Sequence, residues 1–514
     1  MSPVLAPWAG RGSPAAARRM ARGIWLLNDQ MIETAPGAVP WDDRLLSQQW
    51  VDYIHGQSWL DDFAALRDEM SWCAGARWTH EWIEEFGSGW GTGWTMQLAA
   101  RRQIRWLCHR GLLLSQASDR EAARFLRVLG RQARFLAWRW RWSPVGLARL
   151  EALAGHLLSL IEGPDRGQVR FLKAAFGREA AKIVGSEEQL LGRNPANLLR
   201  LVDLLSAMAS SLEGVGHTLD QRHANALAHF GPRLAALCHG DGRLARFHGA
   251  AAGRLGDASR VLEQLGSPKV FPERVLGYGR LDCAESALII DAAPGSRFAS
   301  ALAIEFSCGK QPLLVNSGCG LGFGVEAQRA ARQTQAHSTM SLFGSSHDLN
   351  PATECTGRPE MTVCKDGSSG WLIALSDAWR ASHGVGYRRR LRLSQNGLSL
   401  QGEELVRPQT NEDRHRFAKL LKRAGQGPTF EVRFILHPSV QVLHGARAGE
   451  MCLRLPNEQR WRLRCRDAVL STEAALFYDS ARLHRRATKT IVASGRFLEY
   501  LGRITWSLEA VLPS

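Results

Sequence analysis

The 514-residue chain has only five tyrosines, and its ten cysteines form no CxxC pair and no zinc-like spacing. Scattered cysteines in a chain this long exclude a disulfide framework and a small zinc module; they read as small core residues. Long hydrophobic runs are missing too, so no membrane-spanning helix is expected. The amino-terminal stretch MSPVLAPWAGRGSPAAARRMARGIWLLNDQ has basic residues but no apolar core beside them. No signal peptide is expected, and Arg18-Arg19 is no twin-arginine signal because MARGIWLLNDQ is too polar to follow one. No helix-turn-helix, RRM or zinc pattern occurs, which argues against nucleic acid. Acidic residues are the scarcer charge: 49 against 65 lysines and arginines, a net charge of +16. The excess, mostly arginine and spread along the chain, suits a polyanionic partner such as nucleic acid, an anionic membrane surface or an acidic polysaccharide, or else a simple solubility surplus.

Apolar residues make up 45% of the chain and charged residues 22%, the balance of a globular protein with material for two or three domains. Residues up to about 255 read as successive helices. In the clearest, Ser118 and Glu121 make a capping-box pattern, Phe125, Leu126, Leu129, Phe135 and Leu136 recur at helical spacing, and Pro144 stops the run. Similar patterns cover 95–115, 145–162, 165–184, 195–213 and 218–238. Fourteen of the eighteen tryptophans precede residue 143. After about residue 270 the period changes to two. EMTVC and WLIALSDAW flank the turn KDGSSG, and RLRLS and LSLQGEEL flank an Asn396-Gly397 hairpin signal. FEVRFILHP, CLRLP, RWRLRC and KTIVASG continue the pattern. Helices followed by strands predict two separate domains, residues 1–260 and 270–514, joined near 255–269.

Two strand-like runs, LDCAESALIIDAA and SALAIEFSCGKQPLLVNSG, precede ARQTQAHSTMSLFG. This pattern resembles the C-terminal β-domain of the heparinase II/III-like polysaccharide lyases. GRNPANLLRLVDLL and HGDGRLARFHGA are similar to segments of that family as well. The resemblance implies an N-terminal (α/α) toroid followed by an antiparallel β-sandwich, and β-elimination of an acidic, uronic-acid-containing polysaccharide. Relatives usually carry a His-Ala-Asp element, an Asp at the end of the next strand and a His in an AHNT-like segment, around a metal or substrate. Here those positions are Phe298-Ala299-Ser300, Asn316 and His337. A histidine before the SRNP-like segment is also replaced, the chain reading Leu191-Gly192-Arg193-Asn194-Pro195. Zinc needs three or four N, O or S donors and Phe298 offers none, so no metal and no other cofactor is expected.

β-Elimination needs a group that neutralises the uronate carboxylate, a base for the C5 proton and an acid for the leaving oxygen. The resemblance points to His337 as base, Tyr387 or Tyr278 as acid, and Asn194, Asn316 or Arg332 at the carboxylate, with Arg193 and His437 as further substrate-binding candidates. Each also has a plainer role. Asn194 before Pro195 suits a helix start, Asn316 before Ser-Gly suits a turn, and Tyr387 suits a half-buried strand position. Arg388–Arg390 suit a solvated strand face, and His239-Gly-Asp-Gly242 reads as a turn. Gly87–Trp94 lacks the lysine of a phosphate loop; its tryptophans suit sugar stacking or anchoring between helices. The first reading is a metal-independent lyase, which the overall resemblance favours; the alternative is a non-catalytic acidic-glycan-binding relative, which the substitutions at 298 and before 193 favour. The partner is an acidic polysaccharide, with no nucleic acid and no membrane insertion. By resemblance the location is the cell envelope or periplasm, with the cytoplasm as the alternative given the missing export signal.

Overall fold

A computed structural model describes residues 12–27, 30–41, 47–66, 69–250, 257–266, 270–293, 298–320, 323–347, 361–366, 369–423, 429–444, 449–479 and 484–511. The chain divides into two compact units. The first comprises residues 1–192 and 197–231; the second comprises 193–196 and everything from Pro232. The division falls inside the helix Gln221–Ala236, ahead of the 255–269 stretch. The reason is local: the Ala236 and Cys238 carbonyls accept from Arg280, and the Arg246 amide donates to Glu305, so the chain after Pro232 is sewn to strands of the second unit.

The first unit is helical. Ser118 opens the helix Asp119–Arg139 with a complete capping box, as the spacing predicts. Phe125, Val128, Leu129, Gln132 and Leu136 form its buried stripe. Met96–Cys108 packs against it and against Leu147–Leu158. The early tryptophans have a structural purpose: Trp25, Trp59, Trp78, Trp82 and Trp106 are fully buried. Arg102 lies among them with its guanidinium 3.9 Å from the Trp82 ring centre, donating to Gln132 and to the His55 and Gly93 carbonyls at 2.7–2.9 Å. In the loop Gly87–Trp94, Trp94 is a buried anchor donating to the Phe86 carbonyl, whereas Trp90 is exposed. A short hairpin, Ile24–Leu27 with Gln30–Glu33, was not apparent in the sequence.

The strands of the second unit pair antiparallel, in two layers. One sheet runs through Tyr278–Cys283, Ser286–Asp291, Ile304–Cys308, Gln311–Val315, Thr429–Leu436, His484–Leu498 and Val469–Asp479. The other runs through Met361–Asp366, Ser369–Ser376, Gly386–Ser394, Ser399–Arg407, Leu501–Val511, Arg460–Cys465, Glu450–Arg454 and Gln441–His444. Rings from the two layers meet between them: Phe306 on Trp461 at 5.6 Å and Phe434 on Trp506 at 4.9 Å. Gly397 makes the expected hairpin turn at φ 70°. The turn residues 367–368 lie outside the described residues. The helix Asn411–Arg423 interrupts the strands unannounced; Thr410 and Asp413 cap it reciprocally, and Phe417 seals the core edge.

Candidate functional site

In the second unit, the strand Ser286–Asp291 is buried along its whole length and ends on a carboxylate. Burial alone would raise the pKa of Asp291. Arg193, His248 and Ser300 overcome that and hold it far below the usual carboxylate range. Arg193 pairs with Oδ1, while His248 Nε2 and Ser300 Oγ meet Oδ2 at 2.8 and 2.7 Å. Arg193 also donates to the Leu276 carbonyl, and its own carbonyl accepts from Tyr278 at 2.6 Å. Arg193 thus clamps two strands from a left-handed backbone position, φ 56°. Burial pushes the Tyr278 phenol well above its ordinary pKa, so it stays protonated.

His337 is 2% exposed, and neither ring nitrogen has a hydrogen-bond partner of good geometry. Burial, reinforced by His248 and His347, pushes its pKa down to about 3, against a weaker pull from Asp291 and the Ala331 backbone. Phe298 stands between the two imidazoles, 6.4 Å from His337 and 5.8 Å from His248, with the Arg332 guanidinium 5.8 Å from its ring. Among the described residues no three His, Cys, Asp or Glu side chains converge as a metal site.

Asn316 and Tyr387 belong to two further buried networks. Asn316 donates its side-chain and main-chain N–H to Glu305 Oε1 at 3.1 and 3.0 Å and accepts from the Ser338 amide. The other Glu305 oxygen meets His239 at 3.0 Å, so the His239–Gly242 turn also buttresses this strand. Tyr387 donates to Glu404 at 2.6 Å; Arg389 pairs with the same carboxylate at 2.9 Å, and Trp506 donates to it at 2.8 Å. Arg389 also donates to the Ser338 carbonyl at 3.0 Å, tying this network to the residue after His337. Burial pushes the Tyr387 phenol well above its ordinary range.

The structure therefore gathers His337, Arg332, Arg193 and Tyr278 around Phe298, Asp291 and His248. Asn316 and Tyr387 belong to the adjoining networks that meet at Ser338. Asn194 and His437 stand apart: Asn194 accepts the Ala196 amide at the helix start, and His437 bonds Ser439 at 2.6 Å beside Phe477. Sequence reasoning missed His248, Asp291 and Glu305. A carboxylate ending the apolar run Leu288-Ile289-Ile290-Asp291 was the available signal, since a buried charge requires partners.

A second feature lies on the solvent face of the second sheet. Strand alternation turns Arg389 inward and Arg388, Arg390 and Arg392 outward. Register places Arg390 opposite Glu403, Arg392 opposite Gln401, Gln401 opposite Ser507, and Ser507 opposite Arg464. The result is a shallow groove of about 870 Å³, with Trp371 at one side and Glu450 at the other. Arg390 and Arg392 lie over the Trp371 ring at 4.2 and 4.8 Å. Five arginines (390, 392, 464, 466, 503) and three glutamates (403, 450, 509) line it, a surplus of two positive charges.

Residues 266–507 match the family model "Heparinase II/III-like, C-terminal". This segment is similar to that C-terminal domain. The whole chain shares the heparinase fold, an (α/α) toroid then a β-sandwich: against the crystal structure of heparinase III the TM-score is 0.70 at 11% identity, covering 98% of this chain and 86% of that one. The crystal structure of a mutant heparan sulfate lyase HepC from Pedobacter heparinus gives 0.62 at 11% identity, over 97% and 83%. Among curated proteins, FtsZ-localized protein C of Caulobacter vibrioides is 25% identical over 524 residues, 96% of this chain and 88% of that protein.

Proposed function

We propose that this heparinase-fold chain binds an acidic polysaccharide of the cell envelope without cleaving it by elimination. The observation that carries the reading is the burial of its acid–base candidates. His337 is sealed and held neutral, and the Tyr278 and Tyr387 phenols are committed to the Arg193 carbonyl and to Glu404. A base that must take the C5 proton of a uronate needs to touch the sugar, and these side chains touch protein. Binding still has a basis in the arginine-lined groove with its tryptophan wall, since guanidinium forks match carboxylate and sulfate oxygens. The similarity to a protein named for its localisation with FtsZ supports a positioned role in the cell over that of a freely diffusing degradative enzyme.

The test is salt-dependent binding to a panel of acidic polysaccharides, beside a variant carrying Arg390→Gln, Arg392→Gln and Arg464→Gln. Wild-type binding that weakens with salt and falls at least tenfold in the triple variant is expected. Absence of binding to every acidic polysaccharide overturns the reading.

A further inference from the structure

The helical unit carries an unusual surface. Between Glu121 and Glu151 the chain has seven arginines and no acidic residue. Most of this stretch is the helix Asp119–Arg139 and the turn Trp140–Trp142. The buried face is accounted for by Phe125, Val128, Leu129 and Leu136. On the opposite face, Arg127, Arg131, Arg134 and Trp138 follow one another at helical spacing in the exposed stripe. Trp138 and Trp142 are 80% and 79% exposed, whereas Trp140 between them is half-buried against the helical core. Two further apolar side chains extend the patch. Arg141 spans Trp140 and Phe171, 4.4 and 5.6 Å from their ring centres, and Phe171 is itself exposed, as is Val145. The loop at Gly87–Gly91 leans on the same helix: Arg131 donates to the Gly87 carbonyl and packs on Gly89, beside the exposed Trp90.

We propose that this patch is a docking surface for an anionic lipid bilayer. Exposed indoles cost solvation free energy in water and are favoured at a membrane interface, where the ring is apolar and the N–H stays wet. Arginines beside them supply the attraction to anionic headgroups, and no carboxylate opposes it within the stretch between Glu121 and Glu151. Three of the arginines are held by protein, Arg124 by Glu84, Arg131 by the Gly87 carbonyl and Arg149 by the Ser143 carbonyl; Arg127, Arg134, Arg139 and Arg141 remain on the exposed surface. Arginine and tryptophan together also suit an acidic sugar chain. Solvent-projecting tryptophans joined by Phe171 and Val145 make an apolar surface, which hydrocarbon satisfies and a polar sugar chain does not. The attachment is peripheral: no helix among the described residues is long and apolar enough to cross a membrane.

The test is flotation of the full chain with phosphatidylcholine vesicles, with and without phosphatidylglycerol. Binding to the phosphatidylglycerol vesicles and little to phosphatidylcholine alone is expected. Trp138→Ser with Trp142→Ser should weaken it at least tenfold, and Arg134→Gln roughly five-fold. These side chains are exposed, so unchanged melting temperatures check that the variants remain folded. Should the tryptophan pair fail that check, Trp90→Ser and Arg134→Gln carry the test. Failure to bind phosphatidylglycerol vesicles overturns the proposal, as does binding by the tryptophan variant equal to wild type, which would reduce the effect to general charge adsorption. Loss of acidic-polysaccharide binding in the tryptophan variant, with no vesicle binding by wild type, would overturn it in favour of a glycan surface.

Discussion

His337 shows how burial limits what one residue can do. Its ring is neutral in the fold because burial pushes its pKa down to about 3. In the unfolded chain the value returns to about 6.5, so below that pH the unfolded state binds a proton the folded state refuses. The stability from this group is complete above about pH 6.5 and declines as the pH falls toward the folded value, by about 2 kcal/mol at pH 5. His337→Gln should remove that part of the slope in urea unfolding between pH 7 and 5, and an unchanged slope would contradict the account. Arg389 is the other decisive single residue. Arg389→Met leaves the Glu404 charge buried beside Tyr387 and should cost about 3–5 kcal/mol, much of it recovered by adding Glu404→Gln. Denaturant titration of the single and double variants measures both.

At the scale of elements, the sequence was most readable where side-chain period and punctuation agreed. Ser118 and Glu121 announced a helix start that the structure reproduces, and Asn396-Gly397 announced a hairpin. The run Arg388–Arg390 suited a solvated strand face, yet Arg389 turns inward to a carboxylate on the next strand. Buried ion pairs are long-range in the chain, and a strand's own pattern cannot name the partner. The helix Asn411–Arg423 escaped notice because it sits between strands of period two. Gly402 illustrates a constraint visible only in three dimensions. A Cβ there would stand 2.1 Å from the Trp506 ring, whose indole crosses the facing strand. Gly402→Ala should therefore destabilise the second unit by about 1–3 kcal/mol, readable as an earlier thermal transition. A melting curve identical to wild type would show that the indole moves aside freely.

For the whole molecule, the change of period near the middle of the chain gave the helical and β halves, and the AHST segment pointed to the heparinase II/III-like domain that the family model matches over residues 266–507. The candidate site was only partly legible. Residue types at the expected places named His337, Asn316 and Arg193, but burial and the partners Asp291, His248 and Glu305 are properties of the folded unit. What separates a lyase from a binding protein on this fold is whether a base can reach a uronate. The most direct measurement is therefore the ultraviolet absorbance of unsaturated uronate, followed while the purified chain is incubated with acidic polysaccharides that it binds. A flat trace is expected, identical in wild type and His337→Ala. Rising absorbance that disappears in His337→Ala would contradict the account and return the chain to the lyases.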